Sequence, residues 1–549
     1  MELVIVPEPT GKKVGERMYN FDGFDNFPKF LQEEFNLPKG SWKIEKIKRN
    51  GTGIKISAGK VQIWGNENIS YATLIQLVKQ FQDSLPEMEI TESFNFKFRG
   101  YHLDIARGGV PKLETFKEII RWLFLLKYNY FGIYFEDLFP WKNHPDIGKY
   151  RGRLTRSELT EIIDYGKNMG IEVFPSLELT GHMEHILAIP KYQEFSEWHR
   201  SSEGCLDLSN EKARKFAIDL LEEVVEFFPS KYIHIGGDET WALGRGKSLN
   251  KNWEFQGHKL YERHYGEMIK IVKSHSKIPM MWGDMLTGMY LSEAESQKWQ
   301  EVLKNEMWND AVIANWDYSP SEIGIFKEKI NSFGEKRKSS QIACPGLSDW
   351  NTYYPNFDDA LINIRNFVGA AKEENLWGFL LTSWGDDGQE CLFSFLNPLI
   401  LATMEIAEGN GKWEEKWKKL AGEDEKVTRV RKLFGNPAVS STLLKRVLFS
   451  ELKPLYSVEE EKKKKLRATW ENILDESNGV NLPEDLNFIR DMITVGLKKI
   501  DGTAKVSDFI KLANVYSKLW LAERKPAGLE DILPRFWGMA GVTDTKNSI

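Results

Sequence analysis

"YIHIGGDE", residues 232–239, is a short apolar run that ends in two glycines, an aspartate and a glutamate. Read as a strand, it is buried on both faces and delivers Asp238 and Glu239 side by side at its C-terminal end. Working outward, runs of the same texture recur. Upstream lie "FRGYHLDIAR" (98–107), "YFGIYFED" (130–137) and "IEVFPSLEL" (171–179). Downstream lie "IPMMWGD" (278–284), "VIANWDY" (312–318), "QIACPG" (341–346) and "LWGFLLTSWGD" (376–386). Between them stand amphipathic helical patterns such as "LETFKEIIRWLFLL", "SELTEIIDYGKNMG" and "EKARKFAIDLLEEVVEFF". Eight continuously apolar strands separated by helices predict an α/β fold, a (β/α)8 TIM barrel over residues 96–400.

The flanks have other textures. Residues 1–95 hold short strand-like stretches, "LVIVP", "WKIEKIKR", "GIKISAG" and "VQIWGN", and then a helical "YATLIQLVKQFQDSL", which together predict a small N-terminal α+β domain. Residues 401–549 lack such runs; "WEEKWKKLAG", "VTRVRKLFG", "VEEEKKKKLRATWENILDE" and "LNFIRDMITVGLKKI" predict a helical C-terminal domain. That domain is read either as a homodimer interface or as a buttress for the barrel. A chain of 549 residues suits two or three domains, and 41% hydrophobic with 28% charged residues is the balance of a soluble globular protein. A net charge of -6 gives no basic footprint for nucleic acid. Cys205, Cys344 and Cys391 are too few and too far apart for a disulfide framework or a CxxC site, which fits a reducing compartment. The start, "MELVIVPEPTGKK", is not a signal-peptide pattern, and no long apolar run suggests a membrane span. The expected location is the cytoplasm, with no membrane partner.

Nearly every run ends in polar or aromatic residues: Asp104 and Arg107, Glu136 and Asp137, His182, Asp238 and Glu239, Trp282 and Asp284, Trp316 and Tyr318, Trp384 and Asp386. Turn residues at strand ends explain one or two such endings, but seven describe the rim where barrels of this kind place their chemistry. The chain carries 19 tryptophans, and flat indole faces suit sugar rings. An ionised Asp238 raises the pKa of the neighbouring Glu239, and a pocket walled by indoles adds desolvation in the same direction. A glutamic acid protonated near neutral pH is a general acid, as glycosidic cleavage requires. Adjacent residues seldom straddle a sugar ring as a pair of catalytic carboxylates must. A nucleophile carried by the substrate, oriented by Asp238, is the simpler division of labour.

"HIGGDE" after a strand resembles the signature of glycoside hydrolase family 20, the β-N-acetylhexosaminidases. "FRGYHLDIAR", "LTGH", "MWGD", "NWDY" and "SWGDDG" resemble further segments of that family across residues 96–400. The resemblance implies exo-acting, retaining hydrolysis of N-acetylhexosamine-containing oligosaccharides, in which the acetamido oxygen forms an oxazolinium intermediate without metal or cofactor. It implies Asp238 as the group that holds the acetamido N–H and Glu239 as acid and base, with His182 nearby. Arg107 is implied as a hydroxyl-binding residue, Trp282, Trp316 and Trp384 as pocket walls, and Asp386 as a sugar-binding carboxylate; Asp284, at the end of its own run, is a further substrate-binding candidate. Trp350 is a fourth candidate wall, and His234, within its strand, is either a core hydrogen-bonding residue or part of the site. The family's acetamido-binding tyrosine has no straight match in "CPGLSDWNTYYP"; Tyr318 is favoured over Tyr353. Either Glu136 or Asp137 could partner His182. Two readings compete: a catalytically silent carbohydrate-binding relative, and a GGDE-type nucleotide cyclase. The first conflicts with the presence of both carboxylates, and the second with Thr240 and with βα surroundings.

Overall fold

Ile54, Ile56, Val61 and Ile63 alternate with polar neighbours, and that period of two folds the N-terminal region into a half-buried sheet. Its strands are β1 (Gly11–Asn20), β2 (Lys43–Lys46), β3 (Thr52–Ser57), β4 (Lys60–Trp64) and β5 (Ser84–Glu92), in the order β1-β5-β3-β4-β2. The helix Glu67–Phe81 packs on the sheet, capped by the Asn66 side chain and burying Ala72, Leu74, Ile75 and Leu77. The computed structural model describes residues 3–547 apart from 290, 454 and 455.

The segment "LVIVP", expected as a strand, joins no sheet. Side-chain amides of the neighbouring helix replace a partner strand: Val6 N–H donates to Gln76 Oε1 at 2.8 Å, and Gln76 Nε2 donates back to Val6 O at 2.8 Å. Gln80 clasps Val4 in the same way, at 3.0 and 2.5 Å. The strand that does form, β1, shows no apolar alternation because it is an edge strand exposed along most of its length, its register set by pairing with β5.

The eight apolar runs form the barrel: β6 (Phe98–Asp104), β7 (Tyr130–Tyr134), β8 (Glu172–Ser176), β9 (Tyr232–His234), β10 (Ile278–Trp282), β11 (Val312–Trp316), β12 (Gln341–Cys344) and β13 (Gly378–Ser383). All neighbours are parallel, and β13 closes on β6, from Gly378 opposite Phe98 to Ser383 opposite Leu103. Phe98, Tyr134, Phe174, Tyr232, Met280, Ala314, Ile342 and Leu380 fill the interior, so the barrel is a packed core whose free space lies above the strand ends.

Residue 400 lies inside the continuous helix Asn397–Glu408, so a boundary at that point would cut an element in two. The helices Trp413–Ala421, Glu425–Phe434, Glu460–Ser477 and Glu484–Ile500 fall on the four patterns read from the sequence. Among the described residues three more, Thr442–Leu448, Val506–Glu523 and Leu529–Asn547, complete the C-terminal region. Among the described residues no helix is long and apolar enough to cross a membrane.

Candidate active site

The strand ends converge on a cavity of about 200 Å³ lined by Arg107, His182, Asp238, Glu239, Trp316, Tyr318, Trp350, Trp384 and Asp386. A larger cavity, about 650 Å³, lies against β1, but no rim residue lines it, and of its acids Glu8, Glu16 and Glu415 the first is already held by Lys12 and Lys416.

After β9 the chain turns through Gly236 and Gly237 at φ +71° and +108°. A Cβ at Gly236 would stand 2.3 Å from Glu178 Oε2 and 2.4 Å from Leu177 O; one at Gly237 would stand 2.6 Å from Tyr261 Oη. Only glycine lets the turn press this closely on its neighbours and aim the next two carboxylates into the cavity. Gly236→Ala is expected to destabilise the fold by about 2 kcal/mol, read as a lowered Tm in calorimetry.

His182 Nε2 lies 3.4 Å from Asp238 Oδ2 and 3.5 Å from Glu239 Oε2. Burial works against a charged imidazole, but Asp238 outweighs it and lifts His182 to about 10, so the ring is a cation at neutral pH. Burial would also raise Asp238; there the His182 cation prevails and holds the carboxyl below the ordinary aspartate value. Glu239 moves the other way, raised by burial and then by the charge of Asp238, with His182 pulling back. One carboxylate is kept ionised while its neighbour is biased toward the acid, the separation that divides acid from base work.

On the opposite wall, Arg107 Nη2 lies 3.0 Å from Glu136 Oε1, while Nη1 pairs with Asp104 and sits 3.8 Å from Asp386 Oδ1. Glu136 also accepts from the Tyr134 hydroxyl at 3.1 Å, and burial, opposed by Arg107, lifts it to about 8. Asp137 turns away to Arg151. Neither carboxylate is within ion-pair distance of His182; successive residues leaving β7 point to opposite sides, and the ring faces Asp238 and Glu239 instead. Glu136, Glu184 and His185 bring possible ligand atoms within 4.8 Å of one another, but Arg107 beside Glu136 sets a fixed positive charge against a cation there.

Trp316 stacks on Tyr318 with ring centroids 5.2 Å apart, Trp350 packs on the same tyrosine at 5.2 Å, and Trp384 Nε1 donates to Tyr318 Oη at 2.8 Å. Tyr353, the other tyrosine considered, is elsewhere: it is buried among Phe449, Phe488, Tyr516 and Phe536 of the C-terminal helices. Trp282, expected in the wall, lies fully buried beneath it, 4.3 Å from the His234 ring and 5.8 Å from Trp384. His234 Nδ1 accepts from Gly236 N–H at 3.1 Å, and burial lowers the ring to about 3, so it is a neutral group that shapes the turn. Asp284 stands behind the wall instead of facing a ligand. It accepts from Glu239 N–H at 3.0 Å and Trp316 Nε1–H at 3.2 Å, and burial together with Asp238 raises it to about 7.

Two supporting acids escaped the sequence reading. Glu178 accepts from Gly237 N–H at 3.2 Å and shares a hydrogen bond with Asp238; burial and then Asp238 push its pKa far up, so it is the protonated donor of that pair. A lone glutamate in the apolar run "SLEL" was the available signal. Asp349 accepts from Ser383 Oγ at 2.5 Å and from Trp384 N–H at 3.3 Å, fixing the start of the last rim loop. Glu136, His182 and Glu239 all adopt left-handed backbone angles, φ +43°, +49° and +46°. Three such residues around one cavity mark where backbone strain is tolerated for the sake of a site.

Residues 96–386, more than half of the 549, match the catalytic domain of glycosyl hydrolase family 20. The chain is 30% identical over 316 residues to a β-hexosaminidase of Vibrio furnissii, a match that covers 46% of this chain and 50% of that one; it thus spans half the length of this relative. It is 24% identical over 293 residues to hexosaminidase D of Bos taurus, covering 52% of this chain and 83% of the relative. The solved chitobiase of Flavobacterium johnsoniae aligns over 98% of this chain and 99% of its own, with a TM-score of 0.58 at 15% identity, a likeness of fold. A closed eight-stranded barrel, a carboxylate pair on a glycine turn at its rim and a catalytic-domain match across that barrel agree, and the chain belongs to glycosyl hydrolase family 20.

Proposed function

We propose that the protein is an exo-acting, retaining β-N-acetylhexosaminidase. It removes a terminal N-acetylglucosamine or N-acetylgalactosamine from an oligosaccharide by substrate-assisted catalysis. The observation that carries this reading is the His182 cation facing Asp238 and Glu239 in an indole-walled cavity of about 200 Å³, room for one sugar ring. The acetamido oxygen attacks the anomeric carbon as Glu239 gives its proton to the departing oxygen. Asp238, ionised, accepts from the acetamido N–H and stabilises the positive oxazolinium ring, while the Tyr318 hydroxyl donates to the acetamido oxygen. Glu239, now a carboxylate, takes a proton from water as that water attacks the same carbon, and two inversions give net retention. The nucleophile is tethered, so the entropy of bringing it to the carbon is largely removed.

Arg107 and Asp386 face the hydroxyls remote from the reacting carbon. Trp282 and His234, both fully buried, close the cavity below, which supports removal of chain ends over internal cleavage. This route calls on no metal or cofactor. Cys205, Cys344 and Cys391 are free and buried, in keeping with a cytoplasmic location.

The test is hydrolysis of p-nitrophenyl N-acetyl-β-glucosaminide beside the plain β-glucoside, using the full chain. Cleavage of the acetamido substrate alone is expected. Equal cleavage of the glucoside would overturn the tethered nucleophile, and cleavage of neither would return the binding-protein reading.

A further inference from the structure

The loop after β13 carries Trp384 and Asp386 to the cavity and then turns against the C-terminal helices. That turn is strained: Asp387, Gly388 and Gln389 take φ of +62°, +98° and +58° in succession. Two of the three bear side chains, which avoid this region unless their surroundings impose it. The surroundings here are a cluster of ion pairs. Lys445, on the helix Thr442–Leu448, sets Nζ 2.7 Å from both Asp387 Oδ2 and Glu390 Oε2. Arg535, on Leu529–Asn547, donates from Nη2 to the Asp387 carbonyl and to Oδ1 at 3.0 Å each, while Nη1 grips Glu390 Oε1. Arg524, at the end of Val506–Glu523, donates to Gln389 O at 2.7 Å and to Cys391 O, and the Tyr516 hydroxyl donates to Glu390 O at 2.9 Å.

On the barrel side the same loop is tied by Gly385 N–H to Asp104 Oδ2 at 2.8 Å and by Trp384 N–H to Asp349 Oδ1 at 3.3 Å. Asp386 is the one residue between these two anchorages. Its side chain is 44% exposed and looks toward Arg107. Among the described residues its carboxylate has no ion-pair partner closer than that arginine at 3.8 Å, so its position follows from its backbone, held on either side at Gly385 and Asp387 and by Asn351 N–H, which donates to Asp386 O at 3.4 Å.

We propose that Lys445 and Arg535 are positioning residues which, by clamping Asp387 and Glu390, set where Asp386 meets the terminal sugar and so set affinity and the choice between its epimers. The sugar part of this rests on the hydrolase reading; the mechanical part does not. The C-terminal helices are then part of the recognition apparatus, acting through one loop.

The experiment compares wild type, Lys445→Met, Asp386→Ala and the double variant on the gluco and galacto p-nitrophenyl N-acetyl-β-hexosaminides. Alongside it runs hydrogen exchange of the amides of residues 385–391. Lys445→Met is expected to raise KM about tenfold, the worth of one hydrogen bond to a charged group, with kcat held within about twofold. The gluco-to-galacto ratio of kcat/KM should move in the same direction as in Asp386→Ala. The double variant should bind no worse than Asp386→Ala alone, since both changes remove one effect. Exchange in the loop should quicken about tenfold or more. Lys498→Met, which breaks an ion pair with Asp508 in the same helical region, is expected to lower Tm without moving KM or the epimer ratio. Should Lys445→Met fail to fold, Asp387→Asn removes the carboxylate charge that both cations pair with at that residue while asparagine tolerates the turn, and changes of the same direction are expected of it. Unchanged loop exchange would overturn the clamp whatever the substrate proves to be. Quickened exchange with unmoved KM and epimer ratio in an active enzyme would overturn the recognition role. A wild type inactive on both substrates would overturn the hydrolase reading and the recognition role with it.

Discussion

Glu239→Gln is expected to lower kcat on an N-acetyl-β-hexosaminide with a sugar leaving group by about 10²–10⁴-fold, the usual reach of general acid catalysis. Glutamine fills the same space and keeps the Glu239 N–H on Asp284, so the cavity survives while the transferable proton is lost. The loss should be smaller with p-nitrophenol, whose oxygen leaves without being protonated. Comparing the two leaving groups separates loss of the acid from general damage. The pH profile carries the same information. Burial and Asp238 raise the Glu239 pKa, so the acid form persists above the range of an ordinary glutamate. Wild-type kcat/KM should fall as pH rises through that raised value, and Glu239→Gln should lose this limb. A variant that keeps full activity on the sugar leaving group would remove Glu239 from the reaction.

Asp238→Asn is expected to reduce kcat by about 10²–10³-fold with little change in KM, the pattern of an interaction made mainly in the transition state. On the proposed route asparagine can still accept from the acetamido N–H but cannot answer the charge that would grow on an oxazolinium ring. A second reading comes from the histidine. His182 stands at about 10 because Asp238 overrides the effect of burial; without that charge burial acts unopposed by its largest counterweight, and the ring should titrate well below its wild-type value. An NMR titration of His182 checks this independently of turnover. An unmoved histidine pKa would mean that the pair does not act as a unit.

All eight barrel strands were legible because each is buried on both faces, and that burial writes an unbroken apolar run into the sequence. β1 was not, since an exposed edge strand needs no apolar pattern; "GKKVGERMYN" is paired by β5 and not by its own composition. "LVIVP" has a strand's composition but spends its backbone bonds on two glutamine side chains that no local reading could bring near. At the site, the residues that end strands and face the cavity could be named in advance because the barrel dictates where strand ends go. What could not be read was direction. Glu136 and Asp137 are neighbours that diverge to Arg107 and Arg151, and Trp282 and Asp284 fall beneath and behind the wall that Trp316 forms. Glu178 and Asp349 matter through partners on other strands, a relation set by barrel register.

The left-handed angles at Glu136, His182 and Glu239 bound how far this protein can be hardened. Loops elsewhere can take stiffer residues or shorter paths and gain heat resistance at no loss of turnover. At these three positions the residue best suited to the backbone is glycine, and glycine has no carboxylate or imidazole to offer. Thermal robustness and turnover are therefore opposed at the rim, and libraries selected for heat resistance alone should drift toward inactive sequences at these positions first.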